Sequence, residues 1–397
     1  MRSIEGSKLA VAGGRRKDMG RLATVALLAC GAFAATAASA DEDQGRFPLQ
    51  FVVSSTIPSN GDLNPYGIVF VPKDFPSGGK ILPGDVLVSN FNNSNNLQGT
   101  GVTIIKFTPA GPVAPSVTAG QSGAATTFFT SKLHGLTTAL GILRKGFVIV
   151  GNLPSTDGTF NTHGPGFLQV IGRNGNLVKT LKDAKFLGPW GLAINDEGAH
   201  AQVFVSDVVT GTVVRIDLSV SENDVAVLSS PNEIAKGYAH HSDPNAFVLG
   251  PTGLAFDKRA NTLYVASTMD NEIFSVSAAG TRTSPVEKGE LVFFKDPHLR
   301  GPLGLVLAPN GDLITANGDA ENKDPTHPSG IVEFTKKGKF VVESNIDASQ
   351  GGAFGIAVRP SHHAFVFAAV DDVPNTVTVF NVPGADFSST EVAGDEQ

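Results

Sequence analysis

A chain of 397 residues has room for one large domain or two ordinary ones, and at that length core size is not limiting. Only 17% of residues are charged, while Gly numbers 45 and Pro 24, a balance that favours many turns over many helices. The 41% hydrophobic content excludes wholesale disorder. A net charge of −7 excludes a general nucleic-acid binder, which needs a basic face, and a single cysteine excludes a disulfide framework or a thiolate metal site.

Residues 1–40 read as an export signal. Arg15, Arg16, Lys17 and Arg21 form a basic head before the apolar run from Leu22 to Ala35, and Ala38-Ser39-Ala40 offers the small residues a signal peptidase reads. The expected location is periplasmic or extracellular. Two variants of the route stay open: Arg15-Arg16 fits a twin-arginine signal, with Asp18 against it, and Leu27-Leu28-Ala29-Cys30 resembles a lipobox that would lipidate Cys30. After Asp41 no segment is long and apolar enough to span a bilayer.

From there one phrase returns six times: a short apolar strand opened by Gly and often preceded by Pro. The copies begin at Asn64-Pro65-Tyr66-Gly67, Leu133-His134-Gly135, Gly188-Pro189-Trp190-Gly191, Gly250-Pro251-Thr252-Gly253, Gly301-Pro302-Leu303-Gly304 and Gly352-Ala353-Phe354-Gly355. Second strands are predicted at 86–88, 147–150, 203–205, 262–265, 313–314 and 365–367. Third strands are predicted at 102–107, 167–171, 212–216, 272–276, 331–334 and 376–380. A fourth, outer strand is predicted at 127–130, 177–181, 225–228, 291–294 and 340–343, but the last copy lacks one. The β-rich stretch from Leu49 to Val53, ahead of the first repeat, is its natural donor. The expectation is an all-β, six-bladed β-propeller of four-stranded antiparallel blades over 41–385. Its N-terminal strand closes the last blade, because a circular array leaves only short, protected sheet edges. A polar, acidic tail follows over 386–397.

The segments Gly188 to Leu218, GPWGLAINDEGAHAQVFVSDVVTGTVVRIDL, and Gly250 to Val276, GPTGLAFDKRANTLYVASTMDNEIFSV, resemble NHL-repeat propellers. The resemblance implies the propeller fold and leaves the function open, since such propellers include binding modules, hydrolases and lyases. The chain is also similar in blade pattern to the gluconolactonase and senescence-marker propellers, which hold a divalent cation on the axis. Those open their first blade with Glu-Gly-Pro before an aromatic, where this chain has Asn64-Pro65-Tyr66-Gly67. His134-Gly135 partly matches the His motif of streptogramin-lyase propellers, without a second such motif.

In a propeller the loops leading into first strands and those leaving second strands share one face. Tyr66, Trp190 and Phe354, with Asn90 beside them, are therefore expected to wall a funnel for a small polar molecule or a protein. Asn152, Asp207, Asn317 and Asp371 are candidate ligands for Ca2+ or Mg2+, which take oxygen donors, and His134 is a candidate general base. The competing reading of these positions is turn formation, since Asn and Asp side chains bond nearby backbone amides. The loop from Asn317 to His327 adds oxygens at Asp319, Glu321 and Asp324 but lacks the Gly and distal Glu of an EF-hand loop. His240-His241 and His362-His363 are adjacent pairs whose side chains would diverge on a strand. No serine-hydrolase, zincin or phosphate-cradling motif is present. The leading functional expectation is an exported, monomeric binding scaffold. The alternative is a divalent-metal-dependent hydrolase, lactonase or lyase with its site on the propeller axis, and a packing role in an extracellular assembly is the third reading.

Overall fold

The computed structural model describes residues 51–109, 125–294, 296–318, 325–326, 328, 330–346, 351–361 and 364–383. The leader, Leu49, the His362-His363 pair, the acidic positions 319, 321 and 324 and the C-terminal tail lie outside them. Among the described residues no helix is long and apolar enough to cross a membrane.

The chain is a six-bladed β-propeller built of antiparallel sheets. The first strands of the blades are Leu63–Phe70, Leu136–Leu143, Pro189–Asp196, Pro251–Asp257, Pro302–Leu307 and Ala353–Ser361, and each pairs with the strand that follows it. The last blade takes its outer strand from the other end of the chain: Phe51–Ser55 pairs with Thr376–Pro383, Phe51 opposite Phe380 and Ser55 opposite Thr376. Asn375 fastens that joint to blade one. Its carbonyl accepts the Thr56 amide at 2.9 Å, and its side-chain oxygen accepts the Asn64 amide at 2.7 Å.

The repeated glycine sits in a repeated β-bulge. Pro189 lies opposite Asp207 and Leu192 opposite Val205, so Trp190 and Gly191 together face the single residue Ser206. The same shift recurs in blades one, four, five and six. A Cβ on Gly253 would lie 2.5 Å from the Leu303 carbonyl of the next blade, and one on Gly304 2.5 Å from the Phe354 carbonyl. Glycine is required there because neighbouring backbones meet around the axis. Blade two corrects the repeat as read from sequence: Gly135 precedes the strand with φ +80°, and Thr137-Thr138-Ala139 fill the bulge against Gly151.

Two further departures appear at the periphery. The outer position of blade three is divided between Val225–Val227, paired with Leu218–Val220, and Asn232–Lys236, paired with Thr212–Arg215. The latter is extended in parallel by Val286–Glu287. A separate hairpin, His241–Asp243 with Phe247–Leu249, is inserted between blades three and four. It turns on Asp243, whose carboxylate accepts the Asn245 and Ala246 amides at 2.7 and 2.9 Å.

The core is partitioned between consecutive blades. Leu143, Phe147 and Ile149 of blade two pack on Val203, Val205 and Val214 of blade three, and Ile314 and Ala316 of blade five pack on Phe367 and Ala369 of blade six. Strands of β-branched and aromatic residues, buried on both faces, are what this face-to-face stacking requires.

Candidate functional site: the axial face

The bulges deliver one side chain from each of several blades to the axis. Tyr66, Trp190, Leu303 and Phe354 occupy the position before the bulge glycine, and all four are buried in one cluster with Phe91. Tyr66 lies 4.4 Å from Phe354 between ring centroids and meets Trp190 edge-on at 5.5 Å, while Phe91 meets Trp190 at 5.2 Å. Edge-to-face pairs at these separations are favourable. The funnel expected from sequence is thus a closed aromatic plug: its walls touch one another.

The inserted hairpin completes the closure. Phe247, held at φ +66°, meets Phe91 at 5.5 Å and Phe160 at 5.6 Å, and Gln98 donates to the Asn245 carbonyl at 2.9 Å. Phe160 belongs to a single helical turn, Phe160–Thr162, and stacks on His163 at 4.2 Å. Beside it Asp157 accepts the hydroxyls of Thr162 and Thr159, which hold its carboxyl below the usual carboxylate range.

The candidate cation ligands stand at equivalent ends of second strands, and the structure engages each locally. Asp207 accepts the amides of Gly188, Val209 and Thr210 at 2.9 to 3.0 Å, so both carboxylate oxygens are used by main chain. Asn317 accepts the Arg300 amide at 2.8 Å and donates to the His298 carbonyl at 2.7 Å. Asn152 donates to the His134 carbonyl and accepts from Gln169, both at 2.8 Å. Asp371 accepts the Val373 amide at 3.1 Å. These four bind the turn leaving their own strand or the loop entering their own blade, which is the turn-forming reading of the residues. At Asp207, Asn317 and Asn152 every side-chain oxygen already accepts a hydrogen bond from within the fold. Among the described residues no group of three or more His, Cys, Asp or Glu side chains is placed to hold a metal.

The buried polar atoms near the plug that lack partners include one on Asn90 and one on Trp190. Asn90 is fully buried, donating to the Thr56 carbonyl at 3.1 Å and the Thr103 hydroxyl at 3.3 Å, which fixes its amide and leaves its Oδ1 without a donor. The Trp190 indole N–H is likewise buried and unpartnered. His134 behaves differently from the rest: its side chain is exposed at a groove of about 310 Å³ formed with Lys132, Leu133, Pro154, Ser155 and Thr156 on the rim of the same face.

Phe91, Phe160, Phe247 and Gln169 are not among the residues the sequence pattern points to. The Asp243-Pro244-Asn245 turn between short apolar runs was the available signal for the hairpin.

No family model matches the chain, and no curated protein matches it. Solved structures do. A Thermus thermophilus protein described as an oxidoreductase of the glucose dehydrogenase type aligns with TM-score 0.50 and 12% identity, over 84% of this chain and 100% of that one. A gluconolactonase from Xanthomonas campestris aligns with TM-score 0.47 and 12% identity over 82% and 87% of the two chains. Regucalcin from Agrobacterium tumefaciens, described as calcium-binding, gives 0.45 and 13% over 83% and 96%. The likeness is one of fold. Such propellers share an architecture across unrelated activities, so the site must speak for the chemistry.

Proposed function

We propose that the chain is an exported binding scaffold that presents its axial face to a small polar ligand or a protein partner at the cell envelope. The observation that supports this reading is the use of the candidate ligand oxygens: Asp207, Asn317 and Asn152 are spent on main-chain and side-chain hydrogen bonds that shape the axial loops. What remains for recognition is the surface those loops make around the plug, with Lys132 and His134 exposed on its rim. Export rests on the basic, apolar and small-residue succession of residues 1–40.

A second reading, a hydrolase, lactonase or lyase working beneath the hairpin, draws on one observation. Asn90 Oδ1 and the Trp190 N–H are an acceptor and a donor without partners, which a substrate admitted to the axis would supply.

Two measurements separate them. Melting the protein cleaved after Ala40 in EDTA, Ca2+ and Mg2+ leaves the midpoint unchanged for the scaffold, and simple lactones are not turned over. A midpoint that climbs with cation concentration, or lactone turnover, transfers the case to the second reading. In parallel, a partner retained from envelope extract by the native chain and released by Lys132→Glu supports axial recognition; equal retention by both counts against it.

A further inference from the structure

The opposite face of the propeller, where first strands turn into second strands, carries a cleft of about 600 Å³ between blades three and four. A row of polar side chains leads into it. Asn195 lies opposite Gln202, and Gln202 opposite Asp217, so the three stand side by side across adjacent strands of blade three. Gln202 Nε2 donates to Asp217 at 2.9 Å and to the Gly280 carbonyl of blade four at 2.7 Å. Both partners accept only, so the orientation of the Gln202 amide is fixed and its oxygen faces Asn195. The Asn195 amide nitrogen donates to that oxygen at 3.2 Å. Asn195 Oδ1 must therefore point away from the row, and it is buried without a donor. Keeping an acceptor in that state costs free energy that an apolar residue would avoid.

The charges around the cleft cancel in pairs. Asp217 is matched by Arg215 at 3.2 Å, and Glu197 at the mouth by Lys258 at 3.5 Å. No net field selects an ion. Exposed His200 and Thr281 add hydrogen-bonding groups, and half-buried Phe256 with exposed Leu228 adds an apolar wall. The volume suits a small molecule.

We propose that this cleft binds a neutral polyhydroxylated ligand of the saccharide class, one hydroxyl donating to Asn195 Oδ1 once that side chain shifts to expose it, and a C–H face resting on Phe256 and Leu228. The site is separate from the axial face and does not rest on the function proposed for it.

The test is saturation-transfer NMR and titration calorimetry with glucose, galactose, N-acetylglucosamine and sucrose, using the native chain and the variants Asn195→Leu, His200→Trp and Lys132→Glu. His200→Trp fills the mouth without touching the hydrogen-bonded row, so it serves if Asn195→Leu does not fold. The expected result is millimolar binding of at least one sugar, weakened about tenfold or more by His200→Trp and unchanged by Lys132→Glu on the opposite face. Absence of binding by all four sugars to the folded native chain overturns the proposal. So does binding that survives His200→Trp, and binding lost in Lys132→Glu instead would place the sugar on the axial face.

Discussion

The carbonyl oxygen of Tyr66 in blade one occupies the space that a side chain on Gly355 in blade six would need. This is the seam where the chain's two ends meet, and Phe51–Ser55 reinforces it from the outside by pairing with Thr376–Phe380. Replacing Gly355 by Ala forces two backbones apart at the axis. The expected cost is about 2–4 kcal/mol, seen as a lower urea midpoint. Gly164→Ala serves as the control: the nearest atom to a Cβ there is Pro154 Cγ at 3.5 Å, and the midpoint should barely move.

Asp207 distinguishes a main-chain latch from a metal ligand. Its three amide donors lose their acceptor in Asp207→Ala, for an expected loss of about 2–4 kcal/mol. The loss should be the same in EDTA and in millimolar Ca2+. A penalty that appears only with the cation present would show that the carboxylate serves an ion.

Trp190 is the only tryptophan in the chain and sits inside the plug, so its fluorescence reports closure directly. Native emission should be blue-shifted and poorly quenched by acrylamide. Phe247→Ala removes the ring that the hairpin places over Phe91, and emission should move to the red with quenching increased several-fold, about 2–4 kcal/mol of stability being lost as well. An unchanged spectrum would mean that the hairpin does not seal the axis.

Two carboxylates in blades four and five give opposite pH signatures. Burial, and then the neighbouring Asp312, push the Glu333 carboxyl above its ordinary range, against the amide of Asn310. Its ionised form therefore costs stability at neutral pH, and the cost fades as pH falls through the raised folded value. Glu333→Gln should raise Tm at pH 7 by about 1–3 °C, the gain vanishing near pH 4. Burial pushes Asp257 up too, but Lys336 at 2.6 Å and the Ala260 amide outweigh it and hold the carboxyl low. Asp257→Asn should lower Tm at pH 7, with the deficit shrinking as acid protonates the native carboxylate. Thermal melts of both variants from pH 3 to 8 check the two signs together.

How far the sequence was legible differs from element to element. The strands of blades four and five fall where alternation and turn residues place them, because those signals are local. Blade two was read off by its glycine, yet Gly135 answers a left-handed turn and the bulge belongs to Thr137-Thr138-Ala139. A glycine in sequence does not say whether it stands in the bulge or in the turn ahead of the strand. The candidate ligands share that ambiguity: an Asn or Asp at a strand end supplies the same oxygen to an amide or to an ion, and only the position of Gly188, Val209 and Thr210 shows where Asp207 has spent its own.

The sequence by itself determined the number of blades, most of the strands within them and the donor of the closing strand, since these follow from a pattern of turns and short apolar runs repeated along the chain; the divided outer strand of blade three and the inserted hairpin fall outside that pattern. The tertiary structure alone decided that the axis is plugged. That closure brings together Tyr66, Phe91, Phe160, Trp190, Phe247 and Phe354 from six separate segments, and no periodicity encodes which rings meet once the ring of blades is shut.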